Sequence, residues 1–347
     1  MGRICGLRPP VALCERQERR SGAVGPGPDM GWLQGALAGL GWLGGQGTRA
    51  LAAMVFFGIA LPPLGAILKP YVAESVFVLL LLAFLRVEPV ALRAHVGRPL
   101  KLAAIVLWTM AVLPALLGLA FSVSGLAQSA PGLYLALILQ AVAAPLMSSP
   151  AIAALLGLDA ALVLASMVSC TAMIPFIAPV FVKIFMGDTL LLSPLALGLK
   201  LFGMLAGAAL VAALIRRFAG TARVRRYNPQ IDGINVIVLF VFVAALMGDV
   251  GARILSDPLL VLALIALSFA LTFILLALTA AAFAATGRRE AFALGLMSSQ
   301  RNMGLMLAAA GGTVPELTWL YFALAQFPIY LLPQLLKPVA RRLNDPA

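Results

Sequence analysis

Apolar runs long enough to cross a lipid bilayer recur along almost the whole chain. Of its 347 residues, 62% are hydrophobic and only 11% are charged, a composition that excludes a soluble globular fold. A helix rises about 1.5 Å per residue, so about 20 apolar residues cross hydrocarbon about 30 Å thick. Ten such runs can be counted, and they begin near Ala50, Val72, Leu100, Leu133, Asp159, Pro194, Ile231, Leu259, Ala291 and Leu317. The sequence therefore predicts an all-α polytopic membrane protein with ten transmembrane helices.

The tetrapeptide Leu-Met-Ser-Ser occurs twice, at residues 146–149 in predicted helix four and at residues 296–299 in predicted helix nine. Pro145 and Pro150 flank the first copy, and three polar residues, 300–302, follow the second. Ten helices divide into two sets of five, and because five is odd the second set enters the membrane from the opposite side. We therefore expect two inverted five-helix repeats whose broken helices four and nine cross at mid-membrane. The alternative is a chance match between Leu- and Ala-rich helices.

The predicted repeats divide the chain into an N-terminal tail (1–47), a first repeat (48–187) and an inverted second repeat (188–343). Arginines both precede and follow the weak apolar run of the tail, which is not the pattern of a signal peptide. The tail is therefore expected to remain as a cytoplasmic segment. Met30 is an alternative translation start, in which case the residues before it carry no function.

Most of the 25 basic residues fall in alternate loops. The loops of the opposite side contain only Lys69, Lys183, Lys200 and Arg253. By the positive-inside rule both termini should be cytoplasmic, and the net charge of +12 reflects topology and an attraction to anionic lipid headgroups. Neither a nucleic acid nor an obligatory protein partner is predicted. The predominance of arginine over lysine is typical of a GC-rich genome, which favours a bacterial inner membrane.

Arg301 is an ionisable residue predicted to lie deep inside a span. It follows Glu290 by eleven residues, so an unbroken helix would place it about 16 Å into the membrane. The acidic residues all map to span ends, loops or tails, although an unpaired charge at this depth would cost several kcal/mol. Backbone carbonyls of an unwound helix or a bound substrate anion must therefore balance Arg301.

Neutral hydrogen-bonding side chains accompany Arg301 at both predicted breaks, where half-helix N-termini add positive dipole ends. The predicted substrate-binding residues are Ser148, Ser149, Ser298, Ser299, Gln300, Arg301 and Asn302. Such a site suits a carboxylate or sulfonate attached to an apolar body. The alternative is a structural clasp, in which Arg301 only ties the broken helix to neighbouring carbonyls. Three scattered cysteines and the single His95 predict neither a metal site nor a cofactor.

Two segments carry a resemblance to a known family. Residues 144–180 contain a proline-bearing break, then Gly-Leu-Asp at 157–159 and a proline-rich helix, and residues 301–305 read Arg-Asn-Met-Gly-Leu. The latter is similar to the Gln-Asn-x-Gly-Leu motif of the bile acid:sodium symporter superfamily, which residues 50–343 resemble. The resemblance implies ten spans in two inverted repeats, with sodium and substrate sites beside the crossing of helices four and nine. It also implies alternating access, in which a core of helices three to five and eight to ten rocks against a panel of helices one, two, six and seven.

The positions onto which the resemblance places the family's ion sites are degenerate. They are Thr109, Ser149, Pro150, Val163, Met167, Met297 and Arg301. Val163, Met167 and Met297 offer no hard side-chain oxygen, whereas sodium needs several oxygen ligands. A guanidinium at Arg301 would put a permanent positive charge where one sodium would sit, and arginine does not titrate in proteins. We therefore expect a sodium-independent exchanger or facilitator of organic anions.

Two other functions use the same residues. A membrane-embedded sensor would bind an anion at the same pocket without moving it, and would normally carry a signalling domain. A carrier of another inverted-repeat family, such as the auxin-efflux type, would share the broken crossing helices. An enzyme is not expected, because the spans contain no nucleophile and base pair, metal-binding motif or acid pair.

Overall fold

A computed structural model describes Gly35 and residues 37–42, 58–87, 99–187, 193–311 and 314–344. The beginning of predicted helix one, residues 50–57, and most of the predicted tail lie outside the described residues. The chain divides into two compact units, residues 1–39 and 40–347. Every helix named below belongs to the second unit.

The described residues of this unit are almost entirely helical. Its α-helices are α1 (Pro62–Leu68), α2 (Val72–Arg86), α3 (Pro99–Leu107), α4 (Leu113–Val123), α5 (Leu126–Ser129), α6 (Pro131–Val142), α7 (Ser149–Leu155), α8 (Ala160–Met186), α9 (Pro194–Ala219), α10 (Thr221–Arg226), α11 (Asn228–Met247), α12 (Val250–Ser256), α13 (Pro258–Ala282), α14 (Arg288–Ser299), α15 (Met303–Ala310), α16 (Glu316–Leu324) and α17 (Gln326–Asn344). A π-helical segment, Trp108–Val112, joins α3 to α4.

Seven helical stretches among the described residues are long and apolar enough to cross a membrane. They are Pro62–Arg86, Pro99–Val123, Ala160–Met186, Pro194–Ala219, Asn228–Ser256, Pro258–Ala282 and Glu316–Leu343. These seven stretches confirm the prediction of an all-helical polytopic membrane protein. Predicted helices four and nine are not among them, because each consists of two shorter helices: α6 and α7 in the first case, α14 and α15 in the second.

The helices pack in two groups. In one group α2 lies against α9 and α11, and α1 packs on α11. In the other, α6 contacts α4, α8 and α16, while α13 contacts α14, α16 and α17. The groups meet where α15 packs against α2 and α9, where α11 packs against α16, and where α8 packs against α9. Each interrupted segment therefore belongs to the second group, and α15 also faces the first.

A close approach inside the first group depends on two glycines. A Cβ atom at Gly65 of α1 would lie 2.3 Å from the Cα atom of Gly248, the residue that follows α11. Small residues at such crossings are typical of helices that associate within a membrane, where close backbone packing replaces the hydrophobic drive available in water.

Candidate functional site

The two interruptions lie side by side and pair through their backbones. The Leu146 N–H donates to the Gln300 carbonyl at 2.7 Å, and the Asn302 N–H donates to the Ala144 carbonyl at 2.8 Å. These bonds form an isolated antiparallel bridge between Pro145 and Arg301. Residues that are separated by half of the chain therefore meet at one point, where four helix ends converge.

The sequence explains why the first helix breaks here. Pro145 has no backbone N–H and disfavours the helical conformation at the residue before it, which favours a helix end at this point. Helix α6 ends at Val142, and Ala143 is extended, with ψ of 144°. Pro150 then occupies the first turn of α7, where a missing N–H costs nothing.

The second break has a different local cause. Gln300 is extended, with φ of −88° and ψ of 98°, so α14 ends at Ser299. The Asn302 side chain then caps α15 by accepting a hydrogen bond from the Leu305 N–H at 3.1 Å. An asparagine at this position satisfies a donor that would otherwise be unpaired at the helix start.

Arg301 is buried at the crossing, with 1% of its surface exposed. Its Nη1 donates to the carbonyl oxygen of Ala143 at 2.8 Å and to that of Thr109 at 3.3 Å. Its Nε and Nη2 have no acceptor among the described residues. The guanidinium is therefore only partly satisfied by the protein around it.

Both carbonyls are available because the helices around them are irregular. Ala143 lies in the extended segment after α6. Thr109 lies in the π-helical segment, where the Leu113 N–H bonds to the Trp108 carbonyl, five residues earlier. The next bond in this register would run from residue 114 to Thr109, but residue 114 is a proline and has no N–H. Pro114 thus leaves the Thr109 carbonyl open to Arg301.

Other buried polar atoms near these breaks also have no partner among the described residues. They are Oγ of Ser149 and both amide atoms of Gln300. Most buried polar groups in proteins are hydrogen-bonded, and an unsatisfied one costs about 1–3 kcal/mol. The unpaired polar atoms of Gln300 and Arg301 therefore lie directly at the bridge, where they can accept a further hydrogen-bonding partner.

Four of the seven predicted substrate-binding residues are otherwise engaged or exposed. Ser298 Oγ donates to Thr279 Oγ1 at 2.6 Å, and Ser299 Oγ bonds back to the Leu296 carbonyl at 2.9 Å. Asn302 caps α15, and Ser148 is exposed. The other three predicted residues, Ser149, Gln300 and Arg301, have buried polar atoms without a partner among the described residues.

Three of the predicted ion-site positions lie in an apolar cluster. Val163, Met167 and Met297 are fully buried and pack together with residues such as Ile152 and Leu296. Pro150 is half-buried in the first turn of α7. No group of three or more His, Cys, Asp or Glu side chains suited to a metal ion occurs within the described part of the chain.

The carbonyl partners of Arg301 were predicted only in kind, as backbone groups of an unwound helix. The sequence pointed to the break at Pro145 but not to Thr109, which was singled out only as an ion-site position. The sequence feature that could have indicated the open Thr109 carbonyl is Pro114, five residues further along an otherwise continuous apolar run.

Comparison of the chain with the known protein families and with curated proteins found no match.

Proposed function

We propose that this chain is a secondary transporter that moves a small or amphipathic organic anion by alternating access, built like the bile acid:sodium symporters. One observation carries the proposal: a permanent cation, Arg301, is buried where two interrupted helices pair, and part of its guanidinium has no acceptor among the described residues. A buried charge of this kind is costly unless a counter-charge compensates it. Broken helices in two halves of a membrane chain are a common site of substrate binding in secondary transporters.

In this proposal the fold has ten spans in two inverted repeats. In this count the stretch Pro62–Arg86 is divided at residues 69–71, so that α1 ends the first span, which begins near Ala50, and α2 forms the second. The other six long stretches and the two interrupted segments supply the remaining eight. The interruptions then occupy the fourth and ninth positions, one in each set of five. The group that contains α2, α9 and α11 corresponds to the panel, and the group around α6, α8 and α13 corresponds to the core.

The anion is moved without sodium in this proposal. Arg301 Nη1 already contacts the two carbonyl oxygens of Thr109 and Ala143, as a bound cation would. Val163, Met167 and Met297 fill the neighbouring predicted ion positions with apolar packing. A fixed guanidinium thus takes the place of one transported ion, and the carrier works as an exchanger or a facilitator. A bacterial inner membrane with both chain termini in the cytoplasm completes the proposal.

Uptake into proteoliposomes tests this function. The purified chain would be reconstituted with an internal pool of one organic acid, and entry of the labelled acid would be followed with either sodium or choline outside, across a panel of sulfated steroids, bile acids and short carboxylates. We expect exchange that is equal in the two cations. It should be lost in Arg301→Gln and retained in Arg217→Gln, which removes an exposed arginine near the end of α9.

Two results would contradict the proposal. Exchange that requires sodium would show that backbone carbonyls still assemble an ion site despite Arg301. Binding of an acid without any exchange in either cation would point instead to an anion sensor.

A further inference from the structure

The Arg301 guanidinium has one edge that the protein occupies and one that it does not. Its Nη1 donates to the carbonyl oxygens of Ala143 at 2.8 Å and of Thr109 at 3.3 Å. Nε and Nη2 have no acceptor among the described residues. These two nitrogens share one edge of the planar group, so their N–H bonds on that edge point in nearly the same direction. Arg301 therefore presents two parallel donors, together with its positive charge, along this free edge.

The charge of Arg301 is also uncompensated within the described part of the chain. The side chain is buried, and it takes part in none of the ion pairs that join described residues. A buried charge without a counter-charge is costly. A water molecule at the free edge would accept hydrogen bonds but leave the charge unbalanced. A bound anion would satisfy the donors and balance the charge as well.

One face of α8 borders the guanidinium. The Cys170 thiol in this helix interacts with both the Thr109 side chain and Arg301. Ser166 precedes Cys170 by four residues, so the two side chains lie on the same face of α8, about one turn apart. Helix α8 also packs against the π-helical segment that contains Thr109. The face of α8 that carries Ser166 therefore borders Arg301.

The Ser166 hydroxyl differs from the other hydroxyls of α8. Its Oγ is buried and has no partner among the residues that the structure describes. By contrast, Ser169 Oγ donates to the Ala165 carbonyl at 2.9 Å, and Thr171 Oγ1 donates to the Met167 carbonyl at 2.8 Å. Such a bond to the preceding turn is the usual one for a hydroxyl inside a helix. Ser166 thus retains a donor that is available to a ligand.

The space beside these donors is enclosed. Arg301 and Ser166 are 1% and 0% exposed, and neither lines the two described cavities of about 190 and 640 Å³. Pockets that bury organic molecules usually measure about 300–1,000 Å³, whereas a buried water needs only a few tens of Å³ at most. A ligand that is held between the guanidinium edge and α8 is therefore about as small as a single ion.

We propose that the free edge of Arg301 and the Ser166 hydroxyl bind a small inorganic monoanion such as chloride beside the crossing of the two interrupted segments. The inference rests on the proposed function in one respect. The small anion occupies Arg301 while no organic acid is bound, and it is therefore the counter-anion that the exchanger carries in the opposite direction. Its binding to the purified chain can nevertheless be measured without transport.

Thermal unfolding of the purified chain in a neutral detergent tests the site, with chloride replacing sulfate at constant ionic strength. We expect the melting temperature to rise with chloride and to saturate, although sulfate is the more stabilising salt by its general exclusion from protein surfaces. Arg301→Gln should abolish this rise, and Arg217→Gln, which removes an exposed arginine, should retain it. Titration with nitrate and hydrogencarbonate in turn identifies which small monoanion binds most tightly.

Ser166→Ala tests the site without removing the buried charge. In sulfate the variant should be at least as stable as the native chain, because an unsatisfied buried hydroxyl is removed. Its affinity for chloride should fall by about tenfold, because a hydrogen bond to a charged group is lost. Ser169→Ala is the matched control: it removes a hydroxyl that is bonded back to Ala165 and should bind chloride as the native chain does.

Transport tests the role of the small anion as counter-anion. Proteoliposomes loaded with chloride should take up the labelled organic acid, and those loaded with sulfate should not. Equal uptake with both internal salts would contradict this role.

The inference would be overturned if none of the small monoanions stabilised the native chain, since water would then complete the site. Stabilisation that persists in Arg301→Gln, or an anion affinity that is unchanged in Ser166→Ala, would overturn it too. Chloride binding that Arg301→Gln abolishes, in a chain that exchanges no organic acid in proteoliposomes, would refute the proposed function and leave the anion site standing. Exchange of organic acids by a chain that binds no small anion would do the reverse.

Discussion

At the scale of single residues, the buried polar side chains fall into two sets. In one set, each side chain is satisfied by a neighbouring helix: the Tyr321 hydroxyl donates to Gln140 Oε1, and Thr318 Oγ1 donates to the Gly132 carbonyl at 2.6 Å. In the other set, represented by Gln300 and Arg301, polar atoms have no partner among the described residues. The first set ties α16 to α6, whereas the second set marks the candidate site.

The bond between Tyr321 and Gln140 should contribute to stability. Tyr321→Phe leaves the Gln140 oxygen unsatisfied in a buried interface between two helices, where such bonds contribute about 1 kcal/mol. We expect the free energy of unfolding to fall by about this amount, as measured by titration of the detergent-solubilised protein with sodium dodecyl sulfate.

A double-mutant cycle provides the control for this prediction. Gln140→Leu removes the acceptor, so adding Tyr321→Phe to it should cost much less than Tyr321→Phe alone. Equal costs in both backgrounds would mean that the phenol contributes through packing and not through its hydrogen bond.

At the scale of the helix, prolines decide where carbonyl groups become available. Pro145 ends α6 and exposes the carbonyls of Ala143 and Ala144, and Pro114 exposes that of Thr109. Arg301 contacts one carbonyl from each of these irregular segments. Backbone carbonyls that lack an N–H partner because of these prolines therefore contribute to the site as much as side chains do.

Pro114→Ala restores an N–H that can donate to the Thr109 carbonyl and compete with Arg301. We expect the anion exchange rate to fall severalfold while thermal stability stays equal or rises, because proline is unfavourable inside a helix. The matched control is Pro338→Ala, which changes an exposed proline inside α17. Native exchange rates in Pro114→Ala would show that Arg301 does not depend on the Thr109 carbonyl.

The sequence predicts the helix breaks but not all that they bring together. The first copy of the repeated tetrapeptide lies beside Pro145, and the second is followed by the polar residues 300–302. Both are local features of the sequence, so they can be recognised without tertiary structure. Lys200 carries no such signal: the sequence places it in a loop, whereas it lies within α9 beside Gly311 at the end of α15. The same holds for Ser298, whose partner Thr279 is set by the packing of α13 against α14.

At the scale of the whole molecule, charged residues collect at the two ends of the helices. At one end Lys69 pairs with Asp249 and Arg253 pairs with Glu316. At the other end Lys101 pairs with Glu290 at 2.6 Å. The Arg253 pair joins α12 to α16, and the Lys101 pair joins α3 to α14.

The positive-inside rule then assigns each end to one side of the membrane. Helix α9 has 26 residues, about 39 Å, so its two ends lie on opposite sides of hydrocarbon about 30 Å thick. Arg217 lies in the basic-rich C-terminal turn of α9, and Lys183 lies near the end of α8 that is connected to the start of α9. We expect the Arg217 end to face the cytoplasm.

Cysteine labelling checks this orientation in a background that carries Cys5→Ser, Cys14→Ser and Cys170→Ala. Both test positions are exposed, so an impermeant maleimide should reach either one from its own side. In intact cells Lys183→Cys should be labelled and Arg217→Cys should not, and after permeabilisation both should be labelled. Labelling of Arg217→Cys alone in intact cells would show the opposite topology, with the Arg217 end outside the cytoplasm.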